Sequence, residues 1–234
     1  MPTTPARRPH RAALALFATM LPALALLASA GPGAVVTAKT AATPATATPA
    51  PTLTWAPLVT FPPVGVPNVP MLPEALWDGW ALGAPDAPVT LEVYEDFQCP
   101  FCRRWTFQVE PQLLSTYVAD GTVRLVYRPL AFLGEESRWA AVVADLAAEQ
   151  NRFWAFHSIA FANQLGENIG TYSLDRLLEM ARLAGLDMDA VTEGLMLDAA
   201  RARFAALSGE VTAAAVALGI TSTPTADRKS TRLN

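Results

Sequence analysis

The chain has 234 residues, of which 52% are apolar and 16% charged. That composition excludes a disordered, highly charged protein. The net charge is −4, but residues 31–226 carry 11 basic and 20 acidic side chains, and an acidic body without a basic stripe argues against nucleic-acid binding.

Arg7, Arg8, His10 and Arg11 precede a mostly apolar run from Ala12 to Leu27, and Ala28-Ser29-Ala30 fits a small-residue cleavage pattern. The run is short for a bilayer span of about 20 residues, and Pro22 interrupts it. Residues 1–30 therefore read as an export signal, with an uncleaved N-terminal anchor as the alternative. Residues 31–73 read as an Ala/Thr/Pro-rich tether and irregular approach. Such a stretch buries too little apolar surface to offset its ordering entropy. Of 20 prolines, 16 fall within residues 1–88, so the packable part is expected to start near Val89.

Val89, Leu91 and Val93 alternate on one face of a predicted strand, 89–95. Cys99 to about Ala119 reads as a helix, with Pro100 at a favoured first position and Asp120-Gly121 as the turn after it. Residues 123–128 alternate again as a second strand. Strand, helix and strand of this length imply a parallel crossover. Helical periods follow. Trp139, Val142, Val143 and Leu146 share a face, as do Leu174, Leu177, Leu178 and Ala181, with Ser173 as N-cap and Gly185 as stop. Asp187 is a candidate cap for the next helix, through about Leu197. Phe204, Leu207, Val211, Ala215 and Leu218 line a last one, which Gly219 ends.

The chemistry concentrates in Cys99-Pro100-Phe101-Cys102, which holds both cysteines of the chain. A cysteine at a helix N-terminus faces unpaired N–H groups and a partial positive charge, which favour thiolate over thiol. A thiolate attacks a disulfide sulfur, or leaves readily from one. Cys102, one turn deeper, is placed to resolve a mixed disulfide. Three other roles compete. A structural disulfide closing so small a loop adds little stability. A closed zinc site needs four ligands, and the chain has two cysteines and two histidines; no metal site is expected. Two incidental thiols would be paired in an oxidising compartment. His157, among Phe153, Trp154, Phe156 and Phe161, reads as a packing histidine, and Arg103 and Arg104 as a solvated face with a possible electrostatic effect on Cys99.

The run from Asp86 to Cys102 resembles the DsbA-like thiol–disulfide oxidoreductases of bacterial envelopes. So do residues 153–157, Asn163-Gln164 and the late Thr223-Pro224-Thr225. The resemblance implies an α/β, thioredoxin-like fold with an inserted helical domain. The first strands and active-site helix would lie in 74–134, the helical insertion in 135–198, and a return helix with a cis-proline loop in 199–225. It implies Cys99 and Cys102 as the catalytic pair, with no further cofactor, and Thr223 and Pro224 as the substrate-binding loop, with the bond between them cis. Pro100, Phe101 and Asp96 would tune the site; for Asp96 a turn role competes. Partners would be unfolded or reduced exported proteins and a membrane quinone-linked thiol oxidase, in the periplasm or cell envelope. A reductase or isomerase, and a non-catalytic peptide-binding module, are the alternatives.

After Thr225 the family pattern asks for further apolar strand residues and a closing helix. Residues 226–234 supply neither, and Asp227 to Asn234 resembles a translated sequencing adapter. This tail reads as non-native. The C-terminal strands and helix are expected to be missing and the sheet left with an open edge.

Overall fold

The structure, a computed structural model, describes residues 61–68 and 72–230. The export signal read in residues 1–30, most of the tether and residues 231–234 lie outside the described residues.

The packed part begins well before Val89, which corrects the sequence expectation. Residues 61–68 hold no helix or strand, yet they are pinned. Arg176 stacks on the Phe61 ring at 5.1 Å and donates to Pro62 O at 2.8 Å. Gly65 N donates to Asn163 Oδ1, and Asn163 Nδ2 donates back to Gly65 O. A short 3-10 turn, Glu74–Leu76, leads into two strands, Trp77–Asp78 (β1) and Ala81–Leu82 (β2), paired as a hairpin. Trp77, Ala81 and Leu82 are buried. Strands of two residues are too short to show alternation, so sequence periodicity missed them.

Val89–Glu95 (β3) and Val123–Pro129 (β4) pair in parallel, Val89 opposite Val123 and Glu95 opposite Pro129. The crossover between them is Pro100–Gln108 (α1), Glu110–Leu113 (α2) and a π turn over Leu114–Val118. The single helix expected from Cys99 to Ala119 is therefore interrupted. Pro111 offers no N–H, and its ring disfavours a helical residue before it.

Glu135–Glu149 (α3), Phe153–Ala162 (α4), Leu174–Leu183 (α5) and Met188–Gly194 (α6) form the helical block, and Leu197–Ala217 (α7) returns to the sheet. α4 is apolar nearly all round and is correspondingly buried. Asp187 caps α6, accepting from Asp189 N and Ala190 N, whereas Ser173 sits at the α5 N-cap without a side-chain bond. Gly219, at φ +68, ends α7. None of the helices among the described residues is long and apolar enough to cross a membrane.

The mixed sheet has the order β1-β2-β4-β3-β5, where β5 is Thr225–Ser230, antiparallel to β3 with Tyr94 opposite Thr225. Val93, Leu125 and Tyr127 join the main core with Phe153, Phe156 and Phe161, while Tyr94 meets Val211 and Ala215 of α7. Residues 226–230, read from the sequence as part of a non-native tail, pair with β3 and cover the edge that was expected to stay open. Lys229 reaches Glu92, which also takes Arg128 at 2.6 Å. The physical reason is the unpaired backbone edge of β3, which a strand of almost any composition can satisfy.

Candidate active site

β3 ends at Glu95, and the turn after it sets Cys99 at the N-cap of α1 with extended backbone, φ −71° and ψ 119°. Cys99 N donates to Asp96 O at 2.9 Å. Asp96 is buried, and its carboxylate accepts from four groups: Gln98 N, Ser137 Oγ, Phe132 N and Leu133 N, at 2.6–3.0 Å. Its place in the structure is that of a bracket tying the active-site turn to the loop before α3. The helical block grips the same turn. Gln164 Nε2 donates to Phe97 O at 2.6 Å and Cys99 O at 3.1 Å, Tyr172 Oη lies 2.8 Å from Phe97 O, and Asn168 N donates to Gln98 Oε1.

The two cysteines are free thiols in different settings. Cys102 is fully buried, while Cys99 is 5% exposed. The chain brings Thr223 to them from the other end of the fold. Cys99 Sγ lies 3.4 Å from Thr223 O, and the Thr223–Pro224 bond is cis. The Cys102 thiol, hydrogen-bonded to Cys99, is the largest influence that lowers the Cys99 pKa to about 6, against the opposing effect of burial. The Thr223 side chain and the N–H groups of Cys102 and Phe101 add to it. Thr223 Oγ1 is buried without another partner, so its O–H is free to turn to the thiolate. Cys102 moves the opposite way, far above its ordinary value, because burial disfavours its charge and its bond to Cys99 needs the proton. Pro100 supplies the first helical residue, and Phe101 projects outward, 59% exposed.

Beneath the sulfurs lies a polar group that the sequence reading left unassigned. Glu95 is buried, and its pKa is raised well above normal by burial first, then by the charges of Glu110 and Cys99. His157 Nε2 stands 3.3 Å from Glu95 Oε2, with its pKa pushed down to about 3 by burial. The two form a neutral pair rather than an ion pair. Burial lifts Glu110 to about 8. A signal for both acids was present in the sequence. Glu95 continues the core-facing series Leu91, Val93, and Glu110 follows Cys102 and Thr106 at helical spacing of four. His157 therefore packs, as expected, but against a carboxyl group. Arg103 and Arg104 are exposed; Arg103 Nε donates to Phe161 O at 3.0 Å, and Arg104 lies over the Phe101 ring at 5.3 Å. Among the described residues, no group of three metal-binding side chains is clustered.

This arrangement has the parts for thiol–disulfide exchange: a thiol of lowered pKa, a protonated partner one turn deeper, and a cis-proline loop whose backbone meets the first sulfur. A family model described as Thioredoxin matches residues 77–227. The chain is 32% identical over 104 residues to the Probable disulfide bond formation protein D of Bacillus cereus, a stretch covering 44% of this chain and 48% of that protein. It spans about half the length, or less, of the curated relatives it matches. It is also 32% identical to a thioredoxin-like oxidoreductase of known structure from Silicibacter pomeroyi DSS-3, with a TM-score of 0.53, covering 64% of this chain and 79% of that one. Oxidised BdbD from Bacillus subtilis shares the fold at TM-score 0.59 and 23% identity, over 65% of this chain and 82% of its own. With a cysteine capping the first helix, a cis proline against its sulfur and helices inserted between the two, the chain belongs to the thioredoxin family.

Proposed function

We propose that the protein exchanges disulfides with reduced, exported polypeptides through Cys99 and Cys102, and that it acts as an oxidase. The observation that carries this reading is the split in acidity, with Cys99 at about 6 and Cys102 raised far above its ordinary value. In the oxidised protein a substrate thiolate attacks Cys99 Sγ. The Cys99–Cys102 bond breaks, its electron pair goes to Cys102, and Cys102 takes up a proton. A second substrate thiolate then attacks the substrate sulfur of the mixed disulfide and expels Cys99. A thiol of low pKa is a fast leaving group, so this step favours substrate oxidation. The two sulfurs are the whole redox centre, with no added cofactor. The backbone of Thr223 and Pro224 holds the substrate segment by strand pairing. The export signal read in residues 1–30 supports an extracytoplasmic site of action, and reoxidation falls to a membrane quinone-linked thiol oxidase.

The test is oxidation of a reduced, unfolded multi-cysteine protein by stoichiometric oxidised enzyme. Disulfides should form in the substrate, and Cys99→Ser and Cys102→Ser, neither of which can hold the internal disulfide, should both abolish the reaction. Offered a substrate that already carries a disulfide, Cys102→Ser should accumulate a mixed disulfide, its Cys99 thiolate displacing one substrate thiolate. Retained function in Cys99→Ser would point instead to a peptide-binding module. A reduction potential near that of thioredoxin, about −270 mV rather than about −120 mV, would favour a reductase.

A further inference from the structure

A groove of about 530 Å³ runs along α1 next to the active-site turn. Gln98 and Pro100, the residues on either side of Cys99, form its near end, and Arg103, Arg104 and Phe107 form its wall along α1. Two features bear on these arginines. First, neither has a carboxylate partner among the described residues, whereas Arg124, Arg128 and Arg203 are each paired with an acid. Second, both guanidinium groups are held in place. Arg103 lies over the Phe107 ring at 5.6 Å and spends its Nε on Phe161 O, which leaves both Nη groups free. Arg104 lies over Phe101 at 5.3 Å. A guanidinium fixed on an aromatic face loses little freedom when it takes a carboxylate in bidentate fashion. Glu167 is the one acid on the lining and is itself exposed, so the groove remains net positive on an acidic body.

We propose that this groove reads the sequence flanking a substrate cysteine, and that it selects polypeptides with Asp or Glu close to that cysteine. The inference rests on the disulfide-exchange reading and names its substrate class. Arg103 and Arg104 lie four and five residues beyond Cys99, about 6–7.5 Å along a helix of 1.5 Å rise per residue. An extended peptide advances about 3.3 Å per residue, so the acidic side chains belong two or three positions from the substrate cysteine. Opposite charge there raises the encounter rate and orients the chain at low ionic strength, and added salt screens it.

The experiment uses the oxidised protein and two dithiol peptides, identical except for an Asp-Asp or Lys-Lys pair two and three residues from one cysteine. Each peptide reduces the Cys99–Cys102 bond and becomes a disulfide itself. The rate constants are normalised to each peptide's rate with the uncharged bis(2-hydroxyethyl) disulfide, which removes the effect of flanking charge on thiol acidity. The Asp peptide should react on the order of tenfold faster at low salt. That ratio should fall to within about twofold in Arg103→Gln/Arg104→Gln and at high salt. Arg104→Glu is the second variant; its side chain makes no hydrogen bond that the fold relies on, and it should reverse the preference. A ratio unchanged by both variants overturns the inference while the exchange reading stands. No reaction with either peptide overturns both.

Discussion

The acidity of Cys99 is set mainly by a single neighbour, and that neighbour can be deleted. The Cys102 thiol is the first cause that lowers the Cys99 pKa to about 6. A hydrogen bond to a charged group is worth about 1.5–3 kcal/mol, and one pKa unit corresponds to about 1.4 kcal/mol. Replacing Cys102 with Ala should therefore raise the Cys99 pKa by about one to two units. At pH 6 the wild-type thiolate is about half populated, so alkylation by iodoacetamide should slow between about fivefold and fiftyfold in the variant. Cys102→Ser keeps an O–H donor and should recover part of the shift. The assay is the pH profile of alkylation, checked by thiolate ultraviolet absorbance. A Cys99 still titrating near 6 in Cys102→Ala would refute the reasoning and assign the effect to the helix N-terminus and Thr223. The same shift bears on the reduced protein's stability. Its folded pKa lies below the unfolded value of about 8.5. The stabilisation is thus fully present above that value and is lost as pH falls through about 6. Allowing for the solvent that reaches the sulfur, it amounts to about 1 kcal/mol at pH 7.

Three further outcomes follow from the site and its support. Glu110, lifted by burial to about 8, binds its proton more tightly folded than unfolded, so it costs stability as pH rises from about 4.5 to about 8. Glu110→Gln should remove that slope and gain about 3 kcal/mol at pH 7 in denaturant unfolding; a variant with the wild-type pH slope would contradict this. Asp96→Ala leaves three backbone N–H groups and Ser137 without their acceptor. It should cost about 2–4 kcal/mol in the same measurement, and an effect below 1 kcal/mol would show that Asp96 does not act as a bracket. Deleting residues 226–234 strips the ladder from β3 and the Lys229 partner from Glu92. A lower thermal midpoint is expected, with amide exchange speeding up along β3, and an unchanged midpoint would show that β5 contributes no stability.

The sequence was most legible where a residue's role is local. Alternation located β3 and β4, and helical spacing located α3, α5 and α7, because half-buried elements print their period on the chain. Elements buried all round, such as α4, and strands of two residues, such as β1 and β2, print none. The cysteine pair could be assigned from two facts of local chemistry, a helix start and a four-residue spacing. Glu95 and Glu110 were overlooked although they sit in phase with the core face, because a carboxylate in an apolar period reads as an interruption until its neighbours are known.

What the chain by itself made legible is the cysteine pair, the helix that starts at it and the family pattern around it. Only tertiary structure decided the rest. Thr223 meets Cys99 across 124 residues of sequence, Glu95 lies beside His157, and the approach segment at Phe61 is locked by Arg176. The strand role of residues 225–230 was also decided there. The physical reason is that a pKa, a buried acid or an exposed sheet edge depends on neighbours brought from distant parts of the chain, whereas helical spacing and caps depend on residues within a turn.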